Sequence, residues 1–135
     1  MMRQISEIES IGDACYNIAR LLKRKETLSE PFTNEQRSHI KEMLELTDKS
    51  LCQLDVVLSE RRELLDVKLT MEIEEAINDL RDKLREQNVE DVNEHRYTYS
   101  VGTIYSDVIN ECERLGDYVV NTVEARLGKE EISAV

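Results

Sequence analysis

Tryptophan is absent from this sequence, which has one proline, one phenylalanine and four glycines in 135 residues. This scarcity of residues that interrupt helices, together with abundant Leu, Glu, Lys, Arg and Ile, predicts an almost wholly helical protein. Long apolar runs are missing as well. No stretch approaches the roughly 20 apolar residues that a membrane span needs, and no signal-peptide pattern opens the chain, so we expect no membrane insertion.

Basic residues are outnumbered: 18 Lys and Arg against 29 Asp and Glu give a formal net charge of −11. Nucleic acids and anionic membranes bind basic surfaces, so this balance argues against both as partners. The three cysteines, Cys15, Cys52 and Cys112, form no CxxC pair, and we expect reduced thiols in a cytosolic compartment. Because Cys15 and Cys112 fall on apolar helix faces, we expect both to be buried.

Catalytic signatures are missing too. The sequence has no glycine-rich phosphate loop, and neither His39 nor His95 belongs to a Ser or Cys nucleophile motif. The Glu-x-x-His pairs of ferritin-like di-metal sites are also absent, because Gln36 and Val92 occupy the positions three residues before the histidines. We therefore expect no catalytic residues and no enzyme.

Four long amphipathic segments are present instead. The first is predicted to be helical from about residue 3 to about residue 26, and Pro31 lies in the loop that follows. Thr33 and Gln36 have the pattern of a capping box at the start of the second helix. This helix is expected to end near a turn at residues 59–63.

The second half of the chain continues the pattern. A third helix is predicted over residues 65–94, and Thr98 or Ser100 is expected to cap a fourth. Gly128 is well placed just past the end of that helix, which leaves residues 129–135 as a frayed tail. Four long helices with short connections predict an all-α, antiparallel up-and-down bundle.

Each helix carries an apolar seam at three- and four-residue spacing, which predicts its buried face. The four predicted seams are Ile8, Ile11, Cys15, Ile18 and Leu22; Ile40, Leu44, Thr47, Leu51, Leu54 and Leu58; Leu65, Leu69, Ile73, Ile77, Leu80 and Leu84; and Ile104, Val108, Cys112, Leu115, Val119 and Val123.

Nearly the same stretch occurs twice, at residues 5–17 and 109–121. Six residues recur in order at a constant offset, which is very improbable by chance. Each copy places Glu and Asp four residues apart, so that on a helix the two carboxylates share one face and the Asn follows one turn later. The shared residues are Ile5, Glu7, Glu9, Gly12, Asp13 and Asn17, and Ile109, Glu111, Glu113, Gly116, Asp117 and Asn121.

The repeated acidic pairs predict a metal site. Like charges four residues apart destabilise a helix by roughly 0.2–0.5 kcal/mol, and the glycine inside each motif costs about 1 kcal/mol relative to alanine. If the first and fourth helices are antiparallel neighbours, the four carboxylates converge, and such a cluster must hold a cation, share protons or face water. Oxygen ligands favour Mg²⁺, Ca²⁺, Mn²⁺ or oxidised iron. The candidate ligands are Glu9, Asp13, Glu113 and Asp117.

A competing geometry stays open. Glu75 and Asp79 form a third Glu-x-x-x-Asp pair on the third helix. This pair can join the acidic pair of the fourth helix, which leaves the pair of the first helix to a different site. Asn17 and Asn121 are additional candidate ligands. The glycine of each repeated motif permits close approach by another backbone or by a ligand.

The repeated Glu-x-[Ile/Leu]-Gly-Asp-x-x-x-Asn resembles the signature of PhoU-type domains, which regulate bacterial phosphate uptake. Those proteins contain two three-helix repeats with the acidic motif on the third helix of each. Residues 1–27 resemble the motif helix of a first repeat, and residues 33–128 resemble a whole second repeat. The first helix lacks a clear cap, which agrees with a chain cut from a longer parent. Residues 74–81 most resemble the PhoU-like domain attached to bacterial sodium/phosphate cotransporters.

The resemblance implies a cytoplasmic regulator, tethered to the inner face of the membrane through a parent transporter, whose partners are that phosphate transporter or its regulators. It also implies multinuclear binding of metal, often iron or zinc, at Glu9, Asp13, Glu113 and Asp117. A half-missing repeat leaves apolar seam uncovered, which predicts a protein partner or a homodimer. The alternative is a metal-free helical interaction module whose carboxylates bind neighbouring Arg side chains or a partner protein.

Overall fold

Four α-helices make up most of the computed structural model, which describes residues 2–61 and 66–128. No strand occurs in these two stretches, and no helix in them combines the length and apolar character needed to span a bilayer. The prediction of an all-α bundle of four long helices is confirmed. The helices are α1 (Met2–Glu26), α2 (Asn34–Ser59), α3 (Lys68–Asn93) and α4 (Tyr99–Leu127).

Capping residues define the start of α2 and both ends of α4. Thr33 Oγ1 accepts a hydrogen bond from Gln36 N at 3.1 Å, and Thr33 N donates to Gln36 Oε1 at 2.9 Å, which is the predicted capping box. Thr98 caps α4, because its Oγ1 accepts from Val101 N at 3.3 Å. Gly128 follows α4 with a φ of 71°, a left-handed conformation that a residue without Cβ adopts readily.

The connection between α2 and α3 is described only in part. α2 ends at Ser59, which agrees with the predicted turn around residues 59–63. Residues 62–65, where α3 was expected to begin, lie outside the described residues, as does the predicted frayed tail over residues 129–135. α3 begins at Lys68, whose backbone N–H donates to Asp66 Oδ1 at 2.9 Å.

α4 is the central helix of the bundle. It packs against α1, α2 and α3, and α2 and α3 also pack against each other. All six residues of its predicted seam are buried, together with Val101, Tyr105 and Ile109 on neighbouring faces. Only Tyr99, Ser100 and Arg114 of α4 are exposed, as expected for a helix that has neighbours on several sides. Its polar residues therefore lie close to helices on several sides.

α1 buries only part of its predicted seam: Ile11 and Ile18 are buried as predicted. Ile8 is 45% exposed and Cys15 is exposed, so the prediction of a buried Cys15 is wrong. Ala14 is buried instead, because its small side chain lets α1 approach α4 closely, and a seam chosen for large apolar residues passes over it. Cys112 is buried as expected, and burial raises the pKa of its thiol to about 11. The buried apolar residues of α1 are Ile11, Ala14, Ile18 and Leu21.

The buried face of α2 also agrees only in part with its predicted seam. Its buried residues include Met43, Ser50 and Val57, whereas the predicted Leu44, Leu51 and Leu58 are only half-buried at the edge of the core. Hydroxyl groups are tolerated inside because they bond to the helix's own backbone: the predicted Thr47 is buried and donates to Met43 O at 2.8 Å. Ile40 and Leu54 are buried as predicted too, so half of the predicted seam is right and the other half falls one position away from the buried face.

Candidate functional site

Three carboxylates meet where α3 packs against α4. Glu113 and Asp117 lie one helical turn apart on α4 and share one face. Glu74 reaches them from α3, and one oxygen of each of the three side chains lies within 4.8 Å of the other two. Within residues 2–61 and 66–128, this acidic group is the one set of three or more His, Cys, Asp or Glu side chains close enough together to hold a metal ion.

Glu74 is the buried member of the acidic group, with only 9% of its surface exposed. Its Oε1 accepts a hydrogen bond from Asn78 Nδ2, one turn along α3, at 3.3 Å. Its Oε2 is buried and has no hydrogen-bond partner. A buried carboxylate oxygen without a donor is costly, because the water that it loses on folding is not replaced.

Gly116 makes room for Glu74. A Cβ atom at position 116 would lie 2.8 Å from Glu74 Oε2 and 3.3 Å from Ile77 Cδ1, so any larger residue displaces this carboxylate. The motif glycine of α4 therefore does permit a close approach, but the approaching group is a glutamate side chain and not the predicted backbone or ligand. Gly12, in the first copy of the motif, has no such role, because a Cβ there would meet nothing within 4 Å.

One guanidinium partly compensates the acidic group. Arg81 Nη1 lies 2.7 Å from Glu113 Oε1, and both side chains are mostly shielded from solvent, with exposed fractions of 22% and 18%. Arg81 also pairs with the exposed Asp82, at 3.0 Å. When all three carboxylates of the group are ionised, one positive charge faces three negative ones. Two negative charges then remain uncompensated, which matches the charge of a divalent cation.

Burial and mutual repulsion change the protonation of the group. Loss of solvent and, after it, the neighbouring Asp117 together raise the pKa of Glu74 to about 8, against the opposing effect of the Asn78 amide. Burial and Asp117 also raise the pKa of Glu113, although the Arg81 guanidinium opposes this. In the absence of a cation, Glu74 therefore holds a proton at neutral pH.

The predicted ligands fall into two sets. Glu113 and Asp117 are brought together with each other and with α3, and half-buried Asn121 lies one turn further along α4. Glu9 and Asp13 are exposed on α1 and do not join the acidic group, so a separate site at this pair stays a prediction. Asn17 of α1 does contact α4: its Nδ2 donates a hydrogen bond to Glu111 Oε2 at 3.5 Å.

α3 contributes Glu74 to the acidic group, and not Glu75 or Asp79, the two residues that the spacing indicated. Glu75 and Asp79 are both exposed, because one step along an α-helix turns the side chain by about 100° away from α4. The sequence held a signal for Glu74 instead. It lies three residues before Ile77 of the predicted seam, and residues at this spacing share a face.

The arrangement of the acidic group suits a hard cation. Carboxylate oxygens are the preferred ligands of Mg²⁺, Mn²⁺ and Ca²⁺, at roughly 2.0–2.6 Å from the ion, so three oxygens within 4.8 Å of one another can reach one ion together. The unpartnered Glu74 Oε2 is the atom that an ion would satisfy. The group could therefore hold a metal ion.

Comparisons of this chain with protein-family models, with curated proteins and with solved structures found no match. Fold and site together define an all-α four-helix bundle with a buried acidic group between α3 and α4. The PhoU-like identity stays a prediction from the repeated motif.

The two motif glycines give a matched test of the close approach at Gly116. Gly12→Ala removes an exposed helical glycine and should raise the free energy of unfolding by about 0.5–1 kcal/mol. Gly116→Ala should gain nothing or lose stability, because the new Cβ displaces the Glu74 carboxylate. Urea unfolding of dilute protein at pH 6 with EDTA measures both. Equal stabilisation by the two substitutions would contradict the packing described here.

The raised pKa of Glu74 predicts how the stability of the metal-free protein depends on pH. The unfolded chain titrates Glu74 near the usual pKa of 4.5 and the folded chain titrates it near 8, so the folded state binds this proton more tightly. The stabilisation contributed by this proton is complete below the unfolded pKa and is lost as pH rises through 8. The loss in the free energy of unfolding is on the order of a few kcal/mol.

Urea unfolding between pH 5 and pH 9 in EDTA measures this loss. Glu74→Gln keeps the shape of the side chain without its charge and should flatten the fall in stability. Glu75→Gln, one residue along the same helix but exposed, is the control and should leave the fall unchanged. The prediction fails if Glu74→Gln and the native chain lose stability to the same extent.

Proposed function

We propose that this chain is a PhoU-like cytoplasmic regulatory domain of phosphate transport, which binds a cation between α3 and α4 through Glu74, Glu113 and Asp117. The observation that carries the metal-binding part is the buried, unpartnered Oε2 of Glu74, which faces two further carboxylates. The observation that supports the regulatory part is the repeated acidic motif with its glycine and asparagine.

The energetics of the acidic group favour a bound cation. Burying a carboxylate is costly unless an opposite charge or several donors compensate it, and of the three carboxylates Arg81 pairs only with Glu113. A cation among the three carboxylates compensates Glu74 and Asp117 as well. The absence of His and Cys from the group favours Mg²⁺, Mn²⁺, Ca²⁺ or oxidised iron over zinc. Of the two metals that the family resemblance implies, iron therefore fits this group better than zinc.

A cation at this position makes the packing of α3 against α4 depend on the concentration of that ion in the surrounding solution. Glu74 belongs to α3, whereas Glu113 and Asp117 belong to the central helix α4. Binding therefore stabilises the α3–α4 contact, and its loss weakens that contact. A domain that contacts a membrane phosphate transporter through its helix surfaces would report this change to its partner without catalysing any reaction.

A metal-free helical interaction module is the second candidate. The Arg81–Glu113 ion pair and a proton held by Glu74 together remove much of the repulsion in the acidic group. In this case the buried carboxylates serve only the packing of α3 against α4. Partners then bind the exposed acidic surface, which includes Glu9, Asp13, Glu75 and Asp79.

Thermal unfolding with and without metal separates the two candidates. Mn²⁺ or Mg²⁺ at about one hundred times its dissociation constant should stabilise the native chain by about 2.7 kcal/mol. Elemental analysis should find one ion per chain at the acidic group. Glu74→Gln and Asp117→Asn should abolish this stabilisation, because each removes a ligand without changing the shape of the side chain.

Glu75→Gln combined with Asp79→Asn is the matched control, because both residues are exposed on α3 and the change in charge equals that of Glu74→Gln combined with Asp117→Asn. This control should leave the metal response intact. Loss of half the bound metal in Glu9→Gln with Asp13→Asn would reveal a second site on α1. A native chain that gains no stability from Mn²⁺, Mg²⁺, Ca²⁺ or Fe³⁺ would refute the metal-binding proposal in favour of the interaction module.

Phosphate uptake by cells of the source organism tests the regulatory part separately. Replacing Asp117 by Asn in the natural gene should change the rate of uptake, since the variant chain folds but cannot respond to the cation. The Glu75→Gln, Asp79→Asn chain should support normal uptake. If removal of the whole domain leaves phosphate uptake unchanged, its assignment to phosphate transport is wrong even where metal binding is found.

A further inference from the structure

α1 has a second apolar stripe that its contact with α4 leaves uncovered. Its large members stand well out of the protein surface, with Ile5 54% exposed and Ile8 45% exposed. The stripe residues recur at alternating intervals of three and four, the spacing at which one helix presents a continuous face to another. The exposed stripe consists of Ile5, Ile8, Gly12, Cys15 and Ala19.

Gly12 has no explanation within the chain. A glycine inside a helix costs about 1 kcal/mol relative to alanine, and a Cβ at position 12 would meet nothing within 4 Å. Together with Cys15 and Ala19 it makes the middle of the exposed stripe flat. A flat surface of small residues lets a second helix come close, which gives this glycine a purpose.

The charges beside the exposed stripe differ between the two halves of α1. Glu9 and Asp13 are exposed in its first half, and Arg20 and Lys23 are exposed in its second half. α1 is also the part of this acidic chain where the two signs nearly balance, with five basic and four acidic residues over Met2–Glu26. Two α1 helices therefore do not share the strong repulsion that a net charge of −11 brings to the rest of the surface.

The charge pattern selects one orientation for such a pair. A parallel partner would place acidic against acidic and basic against basic, which is unfavourable. An antiparallel partner places Glu9 beside Lys23 of the second copy and Asp13 beside Arg20 of the second copy. The first pair is centred on residue 16 and the second between residues 16 and 17, so nearly the same register satisfies both, with the two-fold axis close to Tyr16 and the small residues around it.

We propose that α1 is the self-association surface of this protein: two copies pair antiparallel through the exposed stripes of their α1 helices. Every contact then occurs twice, as two-fold symmetry requires. A single pair of helices buries less area than a standard interface, so the dimer is weak and half-formed at roughly 10–100 μM protein. This inference goes beyond the proposed function, because it uses neither the acidic group between α3 and α4 nor a metal ion.

Analytical ultracentrifugation in EDTA tests the proposal over protein concentrations from about 1 to 300 μM. The native chain should change from monomer to dimer in this range. Glu9→Lys with Asp13→Arg makes the four paired charges beside the stripe all basic, and Arg20→Glu with Lys23→Glu makes all four acidic. Each variant alone should lose at least tenfold in association, and an equimolar mixture of the two should form a heterodimer.

Arg37→Glu with Lys41→Glu is the matched control, because these exposed residues of α2 give the same change in net charge as the acidic α1 variant. This control should dimerise like the native chain. A native chain that stays monomeric at every concentration, or charge variants that associate as the control does, would overturn the proposal.

Thiol crosslinking of the native chain gives a second readout that needs no charge variant. A short bis-maleimide should join two chains through Cys15, which lies close to the two-fold axis, and Cys15→Ser should abolish the crosslinked dimer. Cys52→Ser should not, although Cys52 is also exposed. Crosslinking that depends on Cys52 rather than Cys15 would overturn the proposal.

Discussion

The buried carboxylate of Glu74 is the constraint on which this account of the molecule depends. Its Oε2 occupies the space that Gly116 leaves on α4, and it lies close to two further carboxylates with no hydrogen-bond donor of its own. Such a group is stable only when a proton or a cation compensates it. Under the proposed function, the α3–α4 contact is therefore sensitive to pH and to metal, whereas the apolar contacts between α4 and its other neighbours are not.

Sequence reasoning was most successful where local chemistry decides the structure. The capping box of Thr33 and Gln36, the cap at Thr98 and the left-handed Gly128 follow from single residues whose side chains or backbones suit one position of a helix. The seam of α4 was also predicted fully, because this helix has neighbours on several sides and most of its apolar residues are buried. The glycine at position 116 predicted a close approach, although the sequence did not identify the approaching atom.

The same reasoning was less successful where the arrangement of whole helices decides which face is buried. α1 carries two apolar stripes, and the predicted seam mixed residues of both, so that Cys15 was assigned to the wrong side. Glu74 was overlooked in favour of Glu75 because a repeated spacing drew attention to the exposed pair. A single step along a helix changes the face by about 100°, and only the position of α4 determines which of the two glutamates is buried.

Anomalous diffraction from crystals of the native chain grown with Mn²⁺ tests the central claim most directly. The account predicts a manganese peak between α3 and α4, at roughly 2.0–2.4 Å from one oxygen each of Glu74, Glu113 and Asp117. Glu74 Oε2 should be one of those oxygens. Full density for the three side chains without a manganese peak among them, or a peak only beside Glu9 and Asp13 on α1, would contradict it.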